Sequence, residues 1–141
     1  AGLVNNKGSI VAENCDYIMD PTPGPEVISG STRLKSGTCQ KMILNMLSTG
    51  AMIRIGKAYH NYMIDVRMLN QKLVDRGRRF VSEITGCPYD EAAVWLEAAG
   101  QKVKTACVMA AMNCLPAEAE RLLAQNDGSL RKVIQQGKEN V

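Results

Sequence analysis

The sequence predicts an α/β fold, in which part of an open parallel sheet is followed by a mostly helical carboxyl-terminal bundle. The sheet is indicated by two short apolar runs, GLV and DYIMD, separated by a segment of helical length. Such alternation is typical of parallel strands joined by helical crossovers. The bundle is indicated by successive short segments with apolar residues at helical spacing from about residue 86 to residue 136.

The first elements follow from these runs. GLV predicts the end of a strand, KGSIVAENC (7–15) a short helix, and DYIMD (16–20) a buried strand. PTPGP (21–25) then predicts a fixed loop, because proline and glycine interrupt regular structure. Since the chain opens on the end of a strand, without an initiator methionine, we expect it to be a piece of a longer polypeptide.

A long helix is predicted from residue 31 to residue 56, with Ser31 or Thr32 as its cap. Its expected buried stripe has apolar and small residues at helical spacing. The stripe comprises Leu34, Thr38, Met42, Ile43, Met46, Leu47 and Ala51. AYHNYMIDV (58–66) is predicted to be extended or a loop, and a second helix is predicted over 68–85, ended by Gly86.

Four short helices are predicted in the remainder, and proline or glycine marks several of their ends. The segments are PYDEAAVWLEAAG (88–100), VKTACVMAAMN (103–113), PAEAERLLAQND (116–127) and SLRKVIQQG (129–137). Helices this short are marginal alone, so we expect them to pack on one another. The predicted domains are residues 1–66, which contain the sheet, and residues 67–141, which are helical.

Composition excludes several classes of function. A net charge of +3 and only one Trp, four Tyr and one Phe argue against nucleic-acid binding. No apolar stretch approaches the roughly 20 residues of a membrane span. The five cysteines form no C-x-x-C pair, so we expect buried free thiols, no metal site and a reducing cytoplasm.

The segment GPEVISGSTRLKSGT (24–38) is the candidate binding site. It precedes a helix amino terminus, whose free N–H groups attract anions and polar ligands, and it follows a strand at the ligand-binding edge of the predicted sheet. The candidate side chains are Glu26, Ser29, Ser31, Thr32, Arg33 and Lys35. From the residues alone, the alternative is equally weighted: the hydroxyls cap the helix, and the charged groups are solvated.

This segment resembles a known signature. Gly24-Pro25-Glu26, the run 30–35, Gly37-Thr38 and Lys41 match that of the N-acetylmuramic acid 6-phosphate etherases and the related glucokinase regulatory protein. Residues 44–66 continue the similarity on the etherase side, and residues 100–134 resemble the etherase carboxyl-terminal helices. The departures are His60, where glycine is expected, and Cys39, where alanine is common.

The resemblance implies a doubly wound SIS (sugar isomerase) domain that binds a phosphorylated amino sugar, usually at a homodimer interface. Residues 1–66 would be the carboxyl-terminal part of that domain, and residues 67–141 a helical domain. The acid and base glutamates would lie upstream, so no catalytic residue is assigned here, and no cofactor or metal is implied. Residues 85–110 also resemble a ubiquitin-associated-type helix unit, expected to serve packing rather than ubiquitin binding.

The implied reaction is cleavage of a lactyl ether by elimination and hydration, and this chain alone is expected to be inactive. Glu26 is assigned to sugar hydroxyls, with a smaller role in proton transfer left open. Ser31 and Thr32 are assigned to the sugar or its phosphate. Ser29, Arg33 and Lys35 are weaker assignments. The alternatives are a non-catalytic sugar-phosphate-binding regulatory module and a fragment without function.

Overall fold

The computed structural model describes residues 1–139, and 56% of the chain is helical. The chain divides into two compact units, Ala1–Gly50 and Ala51–Val141, which are described separately below. Helices and a few short strands together are compatible with the predicted α/β class. No helix of the described residues is both long enough and apolar enough to cross a membrane.

The first unit begins with a parallel pair of short strands. Strand β1 (Gly2–Leu3) pairs with β2 (Ile18–Met19), in the register Gly2 with Ile18 and Leu3 with Met19. Helix α1 (Ile10–Glu13) joins them, and the Ser9 hydroxyl caps it by accepting the N–H of Ala12 at 3.3 Å. The order strand, helix, parallel strand is therefore the one that the sequence predicts. Among the described residues these strands form a two-stranded sheet. The wider doubly wound sheet and the domain boundary at residue 66 stay predictions.

Helix α2 (Lys35–Arg54) begins four residues later than the sequence predicts. The segment before it forms turns instead, in which the N–H of Ser31 donates to the carbonyl of Ile28 at 3.0 Å and the N–H of Leu34 to that of Ser31 at 3.1 Å. The predicted buried stripe is also wrong. The exposed apolar side chains of α2 are Met42, Leu44, Met46, Leu47, Met52 and Ile53. They occur on all sides of the helix, so no single apolar face could bury them.

The second unit opens with a hairpin of β3 (Ala58–Tyr59) and β4 (Tyr62–Met63), which are antiparallel. The segment predicted to be extended or a loop is therefore extended. Helix α3 (Gln71–Thr85) follows, and Asn70 caps it by accepting the N–H of Leu73 at 3.0 Å. Gly86 ends it with a φ of 81°, as the sequence predicts, because glycine adopts this left-handed conformation without a steric penalty.

The four predicted short helices are all present. They are α4 (Tyr89–Ala98), α5 (Val103–Met112), α6 (Pro116–Gln125) and α7 (Leu130–Glu139). Helix α5 is the centre of the unit, since it packs against α3, α4, α6 and α7. Its buried residues are Val103, Thr105, Ala106, Cys107, Val108 and Met109. Burying each large apolar side chain contributes about 1.5–3 kcal/mol, so the buried residues of α5 are a major part of the core.

Helices α3 and α4 approach closely at Gly77. A Cβ atom there would lie 2.6 Å from Cε of Met68 and 3.2 Å from Cδ2 of Leu96, which is itself 1% exposed. The absent side chain thus lets the Met68 and Leu96 side chains pack against α3. Burial also raises the pKa of the Cys107 thiol to about 12, with a smaller contribution from Cys87, so this cysteine is an apolar core residue. All five cysteines are free thiols, but the prediction that they are buried holds only for Cys107, and the other four are half-buried.

Candidate functional site

The predicted site lies in one loop that is closed at its base by Glu26. One carboxylate oxygen, Oε2, accepts the backbone N–H of Lys35 at 2.9 Å, and the other, Oε1, accepts the N–H of Ser36 at 3.0 Å. These N–H groups belong to the first turn of α2, where no intrahelical carbonyl is available to them. The acid therefore caps the helix from nine and ten residues away.

Ser31 and Thr32 are not the cap, contrary to the prediction. They precede the first helical residue by four and three positions, so their hydroxyls are not at the capping position. Glu26 caps the helix instead, because the loop at residues 21–25 and the turns after it bring its carboxylate next to the start of α2. Sequence spacing does not reveal such a partner, since side-chain caps are normally adjacent to the helix.

Lys35 closes the same loop from the other side. Its Nζ donates to the carbonyl of Pro25 at 2.8 Å, next to the residue whose carboxylate accepts the N–H of Lys35. Three hydrogen bonds thus join residues 25–26 to residues 35–36. The structure brings all six predicted side chains into this closed loop. Pro25 and Ser36, which were not among the predicted site residues, take part through their backbone groups.

The segment between these closures presents its polar groups to solvent. Ser29, Thr32 and Arg33 are exposed, and Ser31 is half-buried. Gly30 has a φ of 80°, and a Cβ there would meet no atom within 4 Å. The backbone at Gly30 is therefore open to a close approach by a ligand.

The electrostatics of the loop favour an ionised Glu26. The backbone N–H of Ser36, followed by that of Lys35, holds the pKa of this carboxyl below its usual value of 4.5. At neutral pH the group is a carboxylate, which can accept hydrogen bonds but cannot donate a proton. Each oxygen accepts one backbone N–H and keeps a further lone pair, so a sugar hydroxyl could still donate to it.

A shallow hollow of about 480 Å³ lies beside the first turns of α2. Pro23, Leu34, Lys35, Thr38 and Cys39 line it. The hydroxyl of Thr38 donates to the carbonyl of Leu34 at 2.7 Å, so it retains its acceptor lone pairs for a ligand. The side chain that replaces the expected alanine, Cys39, lies in this wall.

Metal ligands do not cluster in the described part of the chain. No group of three or more His, Cys, Asp or Glu side chains among residues 1–139 could hold a metal ion. The lone histidine, His60, lies in the turn between β3 and β4.

Comparison with known proteins gives close relatives. A scan against models of protein families found no match. The chain is 46% identical to an N-acetylmuramic acid 6-phosphate etherase from Clostridium acetobutylicum over 136 residues, which are 96% of this chain and 45% of that protein. It is 50% identical to an etherase of the same name from Klebsiella aerogenes over 124 residues, 88% of this chain and 41% of that protein. It is 47% identical to an N-acetylmuramic acid 6-phosphate etherase from Erwinia tasmaniensis over 135 residues, which are 96% of this chain and 44% of that protein.

These relatives confirm the resemblance inferred from the loop signature. The chain spans less than half the length of the curated relatives that it matches. Over nearly its whole length, this chain is similar to the carboxyl-terminal portion of the N-acetylmuramic acid 6-phosphate etherases.

Proposed function

We propose that this chain is the carboxyl-terminal portion of an N-acetylmuramic acid 6-phosphate etherase, a carbon–oxygen lyase. The observation that carries the proposal is 46% identity over 96% of the chain to a protein of that name. The whole protein would act on a phosphorylated amino sugar in peptidoglycan recycling. The free cysteines support a reducing cytoplasm as its location.

The reaction follows from the chemistry of the open-chain sugar. The C2 proton lies beside the C1 aldehyde and is acidic, so a carboxylate can remove it. The C3–O bond then breaks, its electron pair leaves with the lactyl oxygen, and a carboxylic acid protonates that oxygen to give D-lactate. Water adds at C3 to give N-acetylglucosamine 6-phosphate. Both glutamates are assigned outside this chain.

The loop closed by Glu26 would bind the sugar. The Glu26 carboxylate is held in place by two backbone N–H groups and keeps acceptor capacity for sugar hydroxyls. Ser31 and Thr32 would contact the sugar or its phosphate. Ser29 and Arg33 are exposed and would contribute less. Lys35 already donates to the Pro25 carbonyl, so its main role would be to order the loop.

The similarity to the etherases also leads to a proposal for the fold of the whole protein. Residues 1–66 would be the carboxyl-terminal part of a doubly wound SIS domain, and residues 67–141 the helical domain. The parallel pair β1–β2 and the exposed apolar side chains of α2 support this, because a helix that is apolar all round is typically buried in a larger core. We further propose a homodimer, since SIS domains usually bind sugar phosphates where two subunits meet.

Activity should be tested with this chain alone and with a chimera. In the chimera, this chain replaces the matching portion of the Clostridium acetobutylicum etherase. We expect D-lactate release from N-acetylmuramic acid 6-phosphate by the chimera and none by the chain alone. A folded chimera that binds the substrate without releasing lactate would favour the regulatory module instead.

The role of Glu26 should be tested in the same chimera. We expect Glu26→Gln to raise KM much more than it lowers kcat, because the residue binds substrate without moving its proton. Glu97→Gln, which alters an exposed acid on α4, is the matched control. An unchanged KM in Glu26→Gln would exclude the assignment to sugar hydroxyls.

A further inference from the structure

Ser36 is the one buried residue of the helix that follows the candidate loop. Its exposed fraction is 7%, and no other described residue of α2 (Lys35–Arg54) is buried. Its backbone N–H donates to Oε1 of Glu26 at 3.0 Å. Serine is mostly exposed in folded proteins, and a buried hydroxyl needs a hydrogen-bond partner.

The hydroxyl of Ser36 finds its partner in the same carboxylate. The backbone N–H of Ser36 lowers the pKa of the Glu26 carboxyl most, the N–H of Lys35 follows, and a hydrogen bond from the Ser36 hydroxyl lowers that pKa further. Two groups of one residue, the amide and the hydroxyl, therefore hold Glu26.

The contact between Ser36 and Glu26 is better shielded from water than the contact between Lys35 and Glu26. The hydrogen bond from the Ser36 N–H is partly buried, whereas the bond from the Lys35 N–H is exposed. A hydrogen bond to a charged group is stronger where less water competes for that group. Ser36 is consequently the main anchor of the carboxylate.

The residue after Ser36 holds a second part of the loop. The N–H of Gly37 donates to the carbonyl of Thr32 at 2.9 Å. A Cβ atom on Gly37 would lie 3.5 Å from that carbonyl oxygen, so the loop backbone packs directly on the first turn of α2. Glu26 and Thr32, which are both assigned to the substrate, are thus held by consecutive residues.

We propose that Ser36 is a positioning residue, whose buried hydroxyl holds the Glu26 carboxylate in the orientation that accepts sugar hydroxyls. Ser36 acts through Glu26, so its role rests on the proposed function of the loop. A third donor restricts rotation of the carboxylate, and less conformational freedom is then lost when the substrate binds. The same donor occupies one lone pair, which limits the directions from which a sugar hydroxyl can donate.

The contact itself is tested in this chain without substrate, by NMR titration of the Glu26 carboxyl. Ser36→Ala removes only the hydroxyl and introduces the best helix former, so α2 is retained. We expect the pKa of Glu26 to rise in this variant, because a donor to the ionised form is lost. Ser48→Ala, at an exposed serine of the same helix, is the matched control and should leave that pKa unchanged. An unchanged pKa in Ser36→Ala would overturn the proposal.

The role in binding is tested in the chimera with the Clostridium acetobutylicum etherase. Ser36→Ala should raise KM roughly fivefold and leave kcat within about twofold, the pattern expected when binding is lost and the chemistry is kept. In a Glu26→Gln background the same substitution should raise KM by less than about twofold, since Ser36 acts only through the carboxylate. Ser48→Ala should leave both constants unchanged.

The outcomes distinguish this role from the proposed function. An unchanged KM in Ser36→Ala, where Glu26→Gln raises KM, would exclude the positioning role and leave the assignment of Glu26 intact. Equal effects of Ser36→Ala in the two backgrounds would show that Ser36 acts independently of Glu26. A chimera that binds the substrate without releasing lactate gives the same comparison through Kd. An unchanged KM in Glu26→Gln, or a folded chimera that does not bind the substrate, would remove both the assignment of Glu26 and the role of Ser36.

Discussion

The Glu26 carboxylate accepts the backbone N–H of Ser36 at 3.0 Å, although ten residues separate the two in sequence. Its second oxygen accepts the N–H of Lys35 at 2.9 Å. One acidic side chain therefore both caps α2 and closes the candidate loop. It follows that the shape of the binding loop and the first turn of the helix depend on each other.

Replacing this acid should loosen the helix start. Glu26→Gln keeps one acceptor oxygen but loses the charge, so one N–H of the first turn becomes unpaired. Hydrogen exchange of the Lys35 and Ser36 amides should become roughly tenfold faster, the effect expected for a lost helix cap. Glu13→Gln, at an exposed acid of α1, should leave both rates unchanged. Equal protection in Glu26→Gln and the wild type would show that the carboxylate does not cap the helix.

The same carboxylate should make stability depend on pH. The N–H groups of Ser36 and Lys35 lower its pKa in the folded state below the usual 4.5, so folding favours the ionised form. The resulting stabilisation is present above the unfolded-state pKa and is lost as pH falls through the folded-state pKa. The difference in unfolding free energy between wild type and Glu26→Gln should therefore shrink between about pH 7 and about pH 3.

Chemical denaturation of the two proteins across this range measures the difference directly. Asp65, Glu118 and Asp127 also have lowered pKa values, through ion pairs with Lys57, Arg121 and Lys132. Their acid titration is common to both proteins and cancels in the comparison. A constant difference at all pH values would mean that the folded-state pKa of Glu26 is not lowered.

The helices of the second unit were predictable because their signals are local. Pro116 stands at the first position of α6, Gly86 ends α3, and the apolar residues of α5 recur at helical spacing. The start of α2 was not predictable, since the side chain that caps it, Glu26, lies nine residues before the first helical residue. The exposure of the apolar side chains of α2 was not predictable either. The spacing of residues identifies apolar positions, but it does not show whether another segment covers them.

The candidate loop was predictable for a different reason. Its six side chains are nearly contiguous in sequence, so any compact turn brings them together. Contacts between distant parts of the chain gave no such signal. Lys104 donates a hydrogen bond to the Gly128 carbonyl, 24 residues away, and such a contact becomes apparent only once the helices are packed together.

His60 occupies a conformation that glycine favours, which accounts for the glycine expected there from the etherase resemblance. Its φ is 50°, and its ring meets that of Tyr59 edge-on at 4.5 Å. His60→Gly relieves the backbone strain but loses the ring contact, whereas His60→Ala loses the contact and keeps the strain. We expect the Gly variant to be more stable than the Ala variant by about 1 kcal/mol in urea denaturation. Equal stabilities would show that the turn carries no strain.

Alanine substitutions at Gly56 and Gly86 would distinguish the cost of backbone strain from the cost of steric contact. Both have left-handed backbones, with φ of 72° and 81°, but a Cβ on Gly56 would lie 3.1 Å from the carbonyl oxygen of Gly128, and one on Gly86 would meet nothing within 4 Å. Gly86→Ala should cost about 1 kcal/mol of unfolding free energy, from strain alone.

Gly56→Ala should cost about 1–2 kcal/mol more than Gly86→Ala, because overpacking adds to the strain. The Gly128 carbonyl also accepts a hydrogen bond from the Lys104 ammonium at 3.0 Å. Moving the carbonyl away from a new methyl group would therefore weaken that hydrogen bond. Urea denaturation of both variants gives the comparison, and repeating it in a Lys104→Met background isolates the contribution of the bond. If Gly56→Ala and Gly86→Ala lower the unfolding free energy equally, the loop after α6 can move away from the new methyl group, and the hydrogen bond from Lys104 does not fix the position of that loop.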